Sequence, residues 1–273
     1  MEISVIIPSY KPGKYIEACL ESLQRQTLDI RSFEILIVLN GCNQPWYNDI
    51  STFIQNNLNG LNISIFQTNV GGVSYARNIG IDCSHGEYIA FIDDDDYVSP
   101  GYLKELLDVA DENSVILSDS IAFNDEEDLF DYNYSMHRTY LKCSKKKNAS
   151  LMDIRRLLNG PCMKLIPRKI IGNIRFNVAF SNGEDGLFIY EITRNVSKFK
   201  FAADTAVYYR RFRPNSAVTK KDDLGYIWLN ACRLSYIQTK IYLNFFSKYN
   251  AFYSLVRIIA SFKGALYRSL NLK

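Results

Sequence analysis

The 273-residue chain has only two histidines, and none of its six cysteines forms a CxxC pair. The lack of a CxxC pair argues against a zinc knuckle and against a thioredoxin-type redox motif. No window reaches the run of about eighteen apolar residues that a membrane-spanning helix requires. The apolar N-terminus has no basic segment before it and runs directly into a strand-like stretch, which is unlike a signal peptide. We therefore expect a cytoplasmic protein with free thiols.

Acidic residues are absent from residues 224–273. That segment carries seven basic residues, so the rest of the chain has a net charge of −4 and gives little support for nucleic-acid binding. The basic residues alternate with aromatic and aliphatic ones, which is typical of amphipathic helices on an anionic membrane surface. The alternative is that these helices only close the domain, with their cations in water.

Strands and helices alternate along the first half of the chain. The predicted strands are apolar, mostly β-branched runs, and the predicted helices have apolar residues at helical spacing. The strands are residues 3–8, 34–39, 63–67, 88–92 and 115–118. The helices are residues 14–26, 46–57, 73–83 and 100–111. This order predicts an α/β fold with a parallel sheet, whose ligand sites lie beyond the carboxyl ends of the strands.

The alternation ends near residue 120. Residues 124–131 are acidic and residues 142–147 are basic, which predicts an exposed loop or insertion. Residues 151–220 mix short helices and strands. Residues 224–273 indicate two helices with a break near Lys248.

Four consecutive aspartates, Asp93 to Asp96, follow the predicted strand 88–92. If the chain stays extended there, Asp93 and Asp95 face the same side. Two carboxylates at the edge of a sheet suit Mg2+ or Mn2+, and such ions commonly bind phosphate oxygens as well. A substrate with a diphosphate is then the natural partner. The alternative is a solvated turn that caps the next helix, although one carboxylate suffices for that.

Several segments, in the right order, resemble the inverting glycosyltransferases of family 2, which have the GT-A nucleotide-sugar-binding fold. Residues 5–10 with 19–27, residues 69–80 and residues 86–98 resemble the opening strand and helix, the signature segment and the strand with the DxD motif. Residues 162–168, 183–188 and 207–216 are similar to the acceptor segment, the ED motif and the late Tyr/Arg-rich loop. The resemblance thus covers roughly residues 3–219.

The resemblance implies a Rossmann-like GT-A fold, with a mostly parallel sheet flanked by helices, an acceptor-binding half and C-terminal helices. Residues 1–120 would bind the nucleotide-sugar donor, residues 121–220 the acceptor, and residues 221–273 would form basic amphipathic helices. The implied reaction moves a hexose-type sugar, with inversion, from a UDP-sugar to a glycan or an undecaprenyl-diphosphate-linked acceptor in bacterial surface polysaccharide synthesis. The implied location is the inner face of the cell membrane, reached through residues 224–273.

The resemblance also implies residue roles. Asp185 would be the general base, and Asp95 with Asp93 would hold Mn2+ or Mg2+. The residues implied to contact the donor are Pro8, Tyr10, Asn40, Arg77, Asp93, Asp94, Arg211 and Arg213. Those implied to contact the acceptor are Glu184 and Lys164.

One departure and several alternatives remain open. Asn40 stands where the family usually has an aspartate that contacts the nucleotide, which weakens the inference of uridine. Glu184 and Asp185 can also be read as an exposed acidic turn, and the arginines near 211 as the solvated face of a strand. Arg77 either reaches the diphosphate or pins its helix to acidic residues. Tyr10 packs on a base or is an ordinary loop tyrosine.

Two competing functions have weaker support. A sugar-phosphate nucleotidyltransferase needs a Gly-rich basic loop after the first strand, and residues 8–13 match this poorly. A non-catalytic nucleotide-sugar-binding protein of the same fold would be expected to lose carboxylates, yet Asp93, Asp95 and Asp185 are all present.

Overall fold

A computed structural model of the chain describes residues 1–125, 129–212 and 223–270. The strands are β1 (Ile3–Ser9), β2 (Phe33–Asn40), β3 (Ile63–Thr68), β4 (Tyr88–Phe91), β5 (Tyr97–Val98), β6 (Ser114–Leu117), β7 (Asp119–Asn124), β8 (Leu129–Asp131), β9 (Lys164–Pro167), β10 (Lys198–Phe201) and β11 (Val207–Arg211). The helices are α1 (Tyr15–Gln24), α2 (Trp46–Asn57), α3 (Val73–Cys83), α4 (Tyr102–Asp108), α5 (Ser135–Ser144), α6 (Leu151–Ile154), α7 (Arg168–Ile171), α8 (Glu184–Ile192), α9 (Leu224–Asn244) and α10 (Ala251–Leu270). Short 3-10 helices span Thr193–Asn195 and Phe246–Lys248.

The main sheet has seven strands among the described residues, in the order β10-β6-β9-β4-β1-β2-β3. Its neighbours pair in parallel, except that β9 runs antiparallel to both β4 and β6. β1 and β2 are buried along their whole length, as expected for apolar strands covered on both faces. The mostly parallel α/β sheet predicted from the sequence is therefore confirmed.

A smaller sheet has the strand order β5-β11-β7-β8, and its strands alternate along the chain with those of the main sheet. β7 and β8 pair antiparallel, and α5 continues to Ser144, so the loop predicted for residues 124–131 and 142–147 is wrong at these elements. The predicted exposure is confirmed at residues 145–147, which lie outside any helix or strand, and residues 126–128 lie outside the described part of the chain. All three residues of β8 are exposed. An edge strand in water carries charges that resemble a loop in the sequence, which explains the error.

Helix α3 lies close against β1. A Cβ built on Gly80 would collide with the side chain of Ile6, so only glycine permits this approach. The contact fixes the height of α3 over the sheet. It therefore also fixes where Arg77, one turn earlier on the helix, reaches the carboxyl edge.

The two predicted C-terminal helices are present, and the break near Lys248 is confirmed. They pack together through Ile227, Ala231 and Ala265. The ring of Tyr249 stacks on that of Tyr190 in α8, with 4.8 Å between the centroids. Among the residues that the structure describes, no helix is both long and apolar enough to cross a membrane.

Candidate active site

The carboxyl ends of β1 and β2 are joined to the loop before α3 by one amide. Asn40 Nδ2 donates to the carbonyl of Ser9 at 2.7 Å, and Asn40 Oδ1 accepts from the backbone N–H of Gly72 at 2.8 Å. Asn40 is buried. Both ends of the amide are therefore bonded to backbone, and the expected contact of Asn40 with the donor stays a prediction. Its role is to position the edge of the cleft.

The acidic run forms a turn. β4 ends at Phe91, and the backbone N–H of Asp96 donates to the carbonyl of Asp93 at 3.1 Å. The extended conformation that would alternate Asp93 and Asp95 is therefore wrong. Ser9 Oγ donates to Asp94 Oδ2 at 2.6 Å, which ties the turn to the end of β1. The turn is stabilised by hydrogen-bond donors that lie far away along the chain. The local sequence therefore does not indicate it.

Asp96 anchors this turn from inside the protein. Tyr208 Oη accepts from the backbone N–H of Asp93 at 3.1 Å and donates to Asp96 Oδ2 at 2.6 Å. The backbone N–H of Arg211 donates to Asp96 Oδ1 at 2.8 Å. Burial, assisted by the charges of Asp95 and Asp93, raises the pKa of Asp96 well above its ordinary value. Asp96 thus supports the turn.

Arg211 holds the same turn from β11. Its Nε donates to the carbonyl of Asp95 at 2.7 Å, and its Nη1 pairs with the carboxylate of Asp125. The guanidinium lies 4.5 Å from the ring centroids of both Tyr15 and Phe123. The Arg211 side chain is therefore buried and stabilises the turn. The alternative, that it lies on the solvated face of a strand, is wrong. Arg213, also predicted to contact the donor, lies outside the described residues.

Arg77 joins the acidic turn to α8. Its Nη2 contacts Asp93 Oδ1 at 3.0 Å and its Nη1 contacts Asp185 Oδ1 at 2.5 Å, while its side chain is only 3% exposed. The guanidinium lies 5.3 Å from the ring centroid of Phe176. Burial lowers the pKa of Arg77, but the two carboxylates outweigh it, and the pKa lies above its ordinary value. The cation is therefore permanent.

Asp185 and Glu184 begin α8. The side chain of Asp185 is 33% exposed, so it remains open to a ligand. Burial raises the pKa of Asp185 above its ordinary value, although Arg77 opposes this. Glu184 is buried, and its Oε2 has no hydrogen-bond partner among the described residues. Burial and the charge of Asp185 raise the pKa of Glu184 to about 7. Glu184 is thus placed behind the site and has limited access to an acceptor.

Lys164 lies inside the protein. It is 1% exposed, and its Nζ donates to the carbonyls of Gly160 at 2.7 Å and Cys162 at 3.1 Å. Burial lowers the pKa of Lys164 to about 8. The amine holds the backbone of this segment, and the expected contact of Lys164 with an acceptor stays a prediction. The segment that it holds passes close to Asp185, since a Cβ on Gly160 would lie 3.8 Å from Asp185 Oδ2.

An aromatic and basic cluster lies just beyond β1 and β2. Tyr10 is exposed, and the ammonium of Lys11 lies 5.3 Å from its ring centroid and 5.7 Å from that of Trp46. Pro8 is buried within β1 and shapes the strand end. The sequence reasoning missed Lys11 and Trp46. The signal available was Trp46 at the start of a helix that follows the second strand.

The described residues contain no group of three or more His, Cys, Asp or Glu side chains arranged to hold a metal ion. Asp93 and Asp95 nevertheless offer carboxylate oxygens within one turn. Mg2+ in particular is commonly held by one or two carboxylates, water and substrate phosphates. The residues present fit an ion that binds together with a diphosphate.

Replacing Arg77 by methionine leaves two carboxylates facing each other without their shared cation. We expect the free energy of unfolding, measured by urea denaturation, to fall by about 3–5 kcal/mol. Arg31→Met is the matched control, because Arg31 is paired with Asp29 on the open surface. It should leave the stability almost unchanged. Equal, small losses in both variants would contradict the bridging role.

Glu184→Gln tests the buried carboxyl. A carboxyl whose pKa rises from 4.5 to about 7 on folding holds its proton better in the native state, so it lowers stability as pH rises through that window. The variant should therefore gain stability relative to wild type between pH 5 and pH 8, by up to about 3 kcal/mol. Urea denaturation at both pH values measures the difference. A pH-independent difference would show that Glu184 has an ordinary pKa.

The chain is similar in sequence to known proteins of glycosyl transfer and teichoic acid biosynthesis. The chain is 27% identical to the poly(ribitol-phosphate) beta-N-acetylglucosaminyltransferase TarS of Staphylococcus aureus over 213 residues, which cover 77% of this chain and 35% of TarS. It is 25% identical to the minor teichoic acid biosynthesis protein GgaB of Bacillus subtilis over 248 residues, which cover 88% of this chain and 26% of GgaB. The chain thus spans well under half the length of either relative.

A crystal structure of Staphylococcus aureus TarS 1–349 in complex with UDP-GlcNAc superposes with a TM-score of 0.71 at 22% identity, over 87% of this chain and 66% of that chain. This superposition confirms the expected GT-A fold. Residues 4–175 match the model of glycosyl transferase family 2. Because that match covers more than half of the sequence, the chain belongs to glycosyl transferase family 2.

Proposed function

We propose that the chain moves a hexose-type sugar from a nucleoside-diphosphate sugar to a hydroxyl group of a cell-surface polymer, with inversion at the anomeric carbon. One observation carries this proposal. The guanidinium of Arg77 contacts both Asp93, in the acidic turn after β4, and Asp185, at the start of α8. A donor held at the turn therefore lies beside a carboxylate that is able to accept a proton.

In the proposed step, the acceptor oxygen forms a bond to the anomeric carbon while the bond from that carbon to the diphosphate oxygen breaks. The leaving nucleoside diphosphate keeps the bonding electron pair. Asp185 takes the proton of the acceptor hydroxyl and acts as general base. Its carboxylate also stabilises the positive charge that develops on the sugar ring, as carboxylates do in glycosidases.

The environment of Asp185 suits a base. Burial raises its pKa, which strengthens its affinity for a proton, while the contact with Arg77 fixes the orientation of one oxygen. The other oxygen, Oδ2, is left to face the acceptor. Glu184 lies next to it with a pKa of about 7 and adds local negative charge when it ionises.

Asp95, together with Asp93, would hold Mn2+ or Mg2+ at the turn. Such an ion, when bound, neutralises charge on the leaving diphosphate. Asp95 is the preferred ligand because it matches the metal-binding position of the DxD motif that residues 86–98 resemble, while Asp93 contacts Arg77. Asp94 has the supporting role of linking the turn to Ser9.

The donor is proposed to be a UDP-sugar. The exposed ring of Tyr10 and the nearby Lys11 and Trp46 offer a stacking face and a cation beyond the strand ends. The structures of Staphylococcus aureus TarS with UDP-GlcNAc and with UDP support this choice. The names of TarS and GgaB refer to a poly(ribitol-phosphate) and to teichoic acid, which supports a surface polymer as acceptor.

An anionic membrane surface is the proposed location. Helix α10 exposes a stripe of large apolar side chains at intervals of three and four residues, which places them on one face. The stripe comprises Phe252, Leu255, Ile259, Phe262, Leu266 and Leu270. Residues 224–273 carry seven basic and no acidic residues, so their charge complements anionic lipid headgroups.

Donor binding and turnover test the reaction. Calorimetry with UDP-, GDP- and dTDP-sugars should show tightest binding of a UDP-sugar in the presence of Mn2+, and Asp95→Ala should remove the effect of the metal. Asp185→Asn should keep donor binding and lower transfer by about 100- to 10,000-fold. Asp82→Asn, at an exposed carboxylate, is the control. Metal-independent binding without turnover, unchanged in Asp95→Ala, would refute the proposal.

Co-sedimentation with vesicles rich in phosphatidylglycerol tests the location. Leu255→Glu and Ile259→Glu place negative charge in the apolar stripe, so each should reduce vesicle binding severalfold. Leu129→Glu is the matched control, because Leu129 is equally exposed on β8. Equal binding by all variants would overturn the membrane role. Loss of a dimer in the stripe variants, without loss of vesicle binding, would assign the stripe to a second copy of the chain.

A further inference from the structure

A cavity of about 270 Å3 lies where α9 and α10 meet the start of α8. Asn182, Gly183 and Gly186 line it from α8 and the residues before it, so the wall of the cavity flanks Glu184 and Asp185 on both sides in sequence. Asn159 lines it from the segment that Lys164 holds. The cavity is therefore adjacent to the proposed base, and all of its lining residues except Asn159 lie outside the residues 4–175 matched by the family model.

The lining is cationic. Arg257 and Arg268 both line the cavity, and no Asp or Glu among the described residues does so. Arg257 Nη1 donates to Asn159 Oδ1 at 3.2 Å, while its buried Nε has no hydrogen-bond partner in the described part of the chain. Arg268 Nη2 donates to Asn182 Oδ1 at 2.7 Å. Guanidinium groups placed in this way favour an anionic oxygen, for which a phosphate is well shaped.

A second buried group, the side-chain amide of Gln238, lacks a hydrogen-bond donor. Gln238 is 2% exposed and lines the cavity, and its Oε1 accepts no hydrogen bond from any described residue. A buried carbonyl oxygen without a donor is costly, so a ligand that donates there is favoured. A hydroxyl group supplies that donor, whereas an anion does not. The ligand that satisfies both groups has a phosphate and a hydroxyl on one small molecule.

The size of the cavity agrees with this chemistry. At about 30 Å3 for each water, its volume corresponds to roughly nine waters, enough for a phosphate with a short polyol or one sugar ring. The space exists because α10 contributes small residues at this point. No atom lies within 4 Å of a Cβ built on Gly264.

We propose that this cavity binds a phosphate ester that carries a neighbouring hydroxyl, and that this group belongs to the acceptor. The assignment to the acceptor rests on the proposed function; the ligand chemistry of the cavity does not. A phosphorylated polyol or sugar held there would place the next unit of the acceptor beside Asp185. The C-terminal helices would then select the acceptor as well as close the domain.

Calorimetry with glycerol 3-phosphate as the probe tests the proposal. Wild-type protein should bind it at least tenfold more tightly than glycerol, which lacks the anion, and more tightly than inorganic phosphate, which lacks the polyol. Gly264→Leu fills the open space with a residue that favours helix, so it should fold normally and lose this binding. Lys263→Leu, the neighbouring position outside the lining, should bind as wild type does.

Arg257→Gln should weaken binding of glycerol 3-phosphate at least tenfold, with its thermal melting compared with wild type to separate folding from binding. Equal affinity for glycerol and glycerol 3-phosphate, or unchanged binding in Gly264→Leu, would overturn the proposal. Inorganic phosphate binding as tightly as glycerol 3-phosphate would overturn the role of Gln238. Glucose 1-phosphate and phosphatidylglycerol vesicles, tested in parallel, distinguish a phosphosugar and a lipid headgroup from a polyol phosphate.

Binding of UDP separates this proposal from the proposed function. Gly264→Leu should bind UDP with Mn2+ as wild type does, because Gly264 lies in α10, whereas the donor is proposed to bind at the turn after β4. If wild type binds glycerol 3-phosphate but no UDP-sugar, the reaction is wrong and the cavity assignment stands. If it binds the UDP-sugar and Gly264→Leu changes nothing, the cavity assignment alone fails.

Discussion

The site depends on one buried cation. The Arg77 guanidinium pairs with Asp93 and Asp185, which belong to segments far apart in the chain, and it rests on the ring of Phe176. A buried charge of this kind is tolerated only while its partners stay in place. The positions of Asp93 and Asp185 therefore depend on the same guanidinium. The close approach of α3 to β1, permitted by Gly80, sets the position from which Arg77 reaches both.

Four consecutive aspartates are tolerated here because each has a different environment. Asp93 pairs with Arg77, Asp94 accepts from Ser9, and Asp96 is buried against Tyr208. The carbonyl of Asp95 is held by Arg211. Four like charges in a row would repel each other in an open turn, and distributing them among separate partners removes that cost. The turn can therefore present carboxylate oxygens in a fixed arrangement.

Local patterns predicted much of the fold, and long-range contacts explain what they missed. The apolar strands and the helices at 46–57 and 73–83 follow from periodicity, and the structure confirms them. The turn at Asp93 depends on Tyr208 and Arg211, which lie more than a hundred residues later. The burial of Asn40 and Lys164 is likewise a property of packing, and nothing beside them in the sequence indicates it. The aspartates were identified from their position after a buried strand and Asp185 through the family resemblance, whereas their shared guanidinium needed the structure.

Strand β9 has a consequence for how the chain folds. It lies between β4 and β6 and pairs with both, although many residues separate it from β4 in sequence. During synthesis, the edge of β4 that faces β9 stays unpaired until residues 164–167 have emerged. An exposed strand edge invites pairing with other chains. Closing that long loop also delays the native sheet, because contacts distant in sequence form slowly. The pairing of β9, which joins β6 to β4, is thus also the step before which a nascent chain is most open to misassembly.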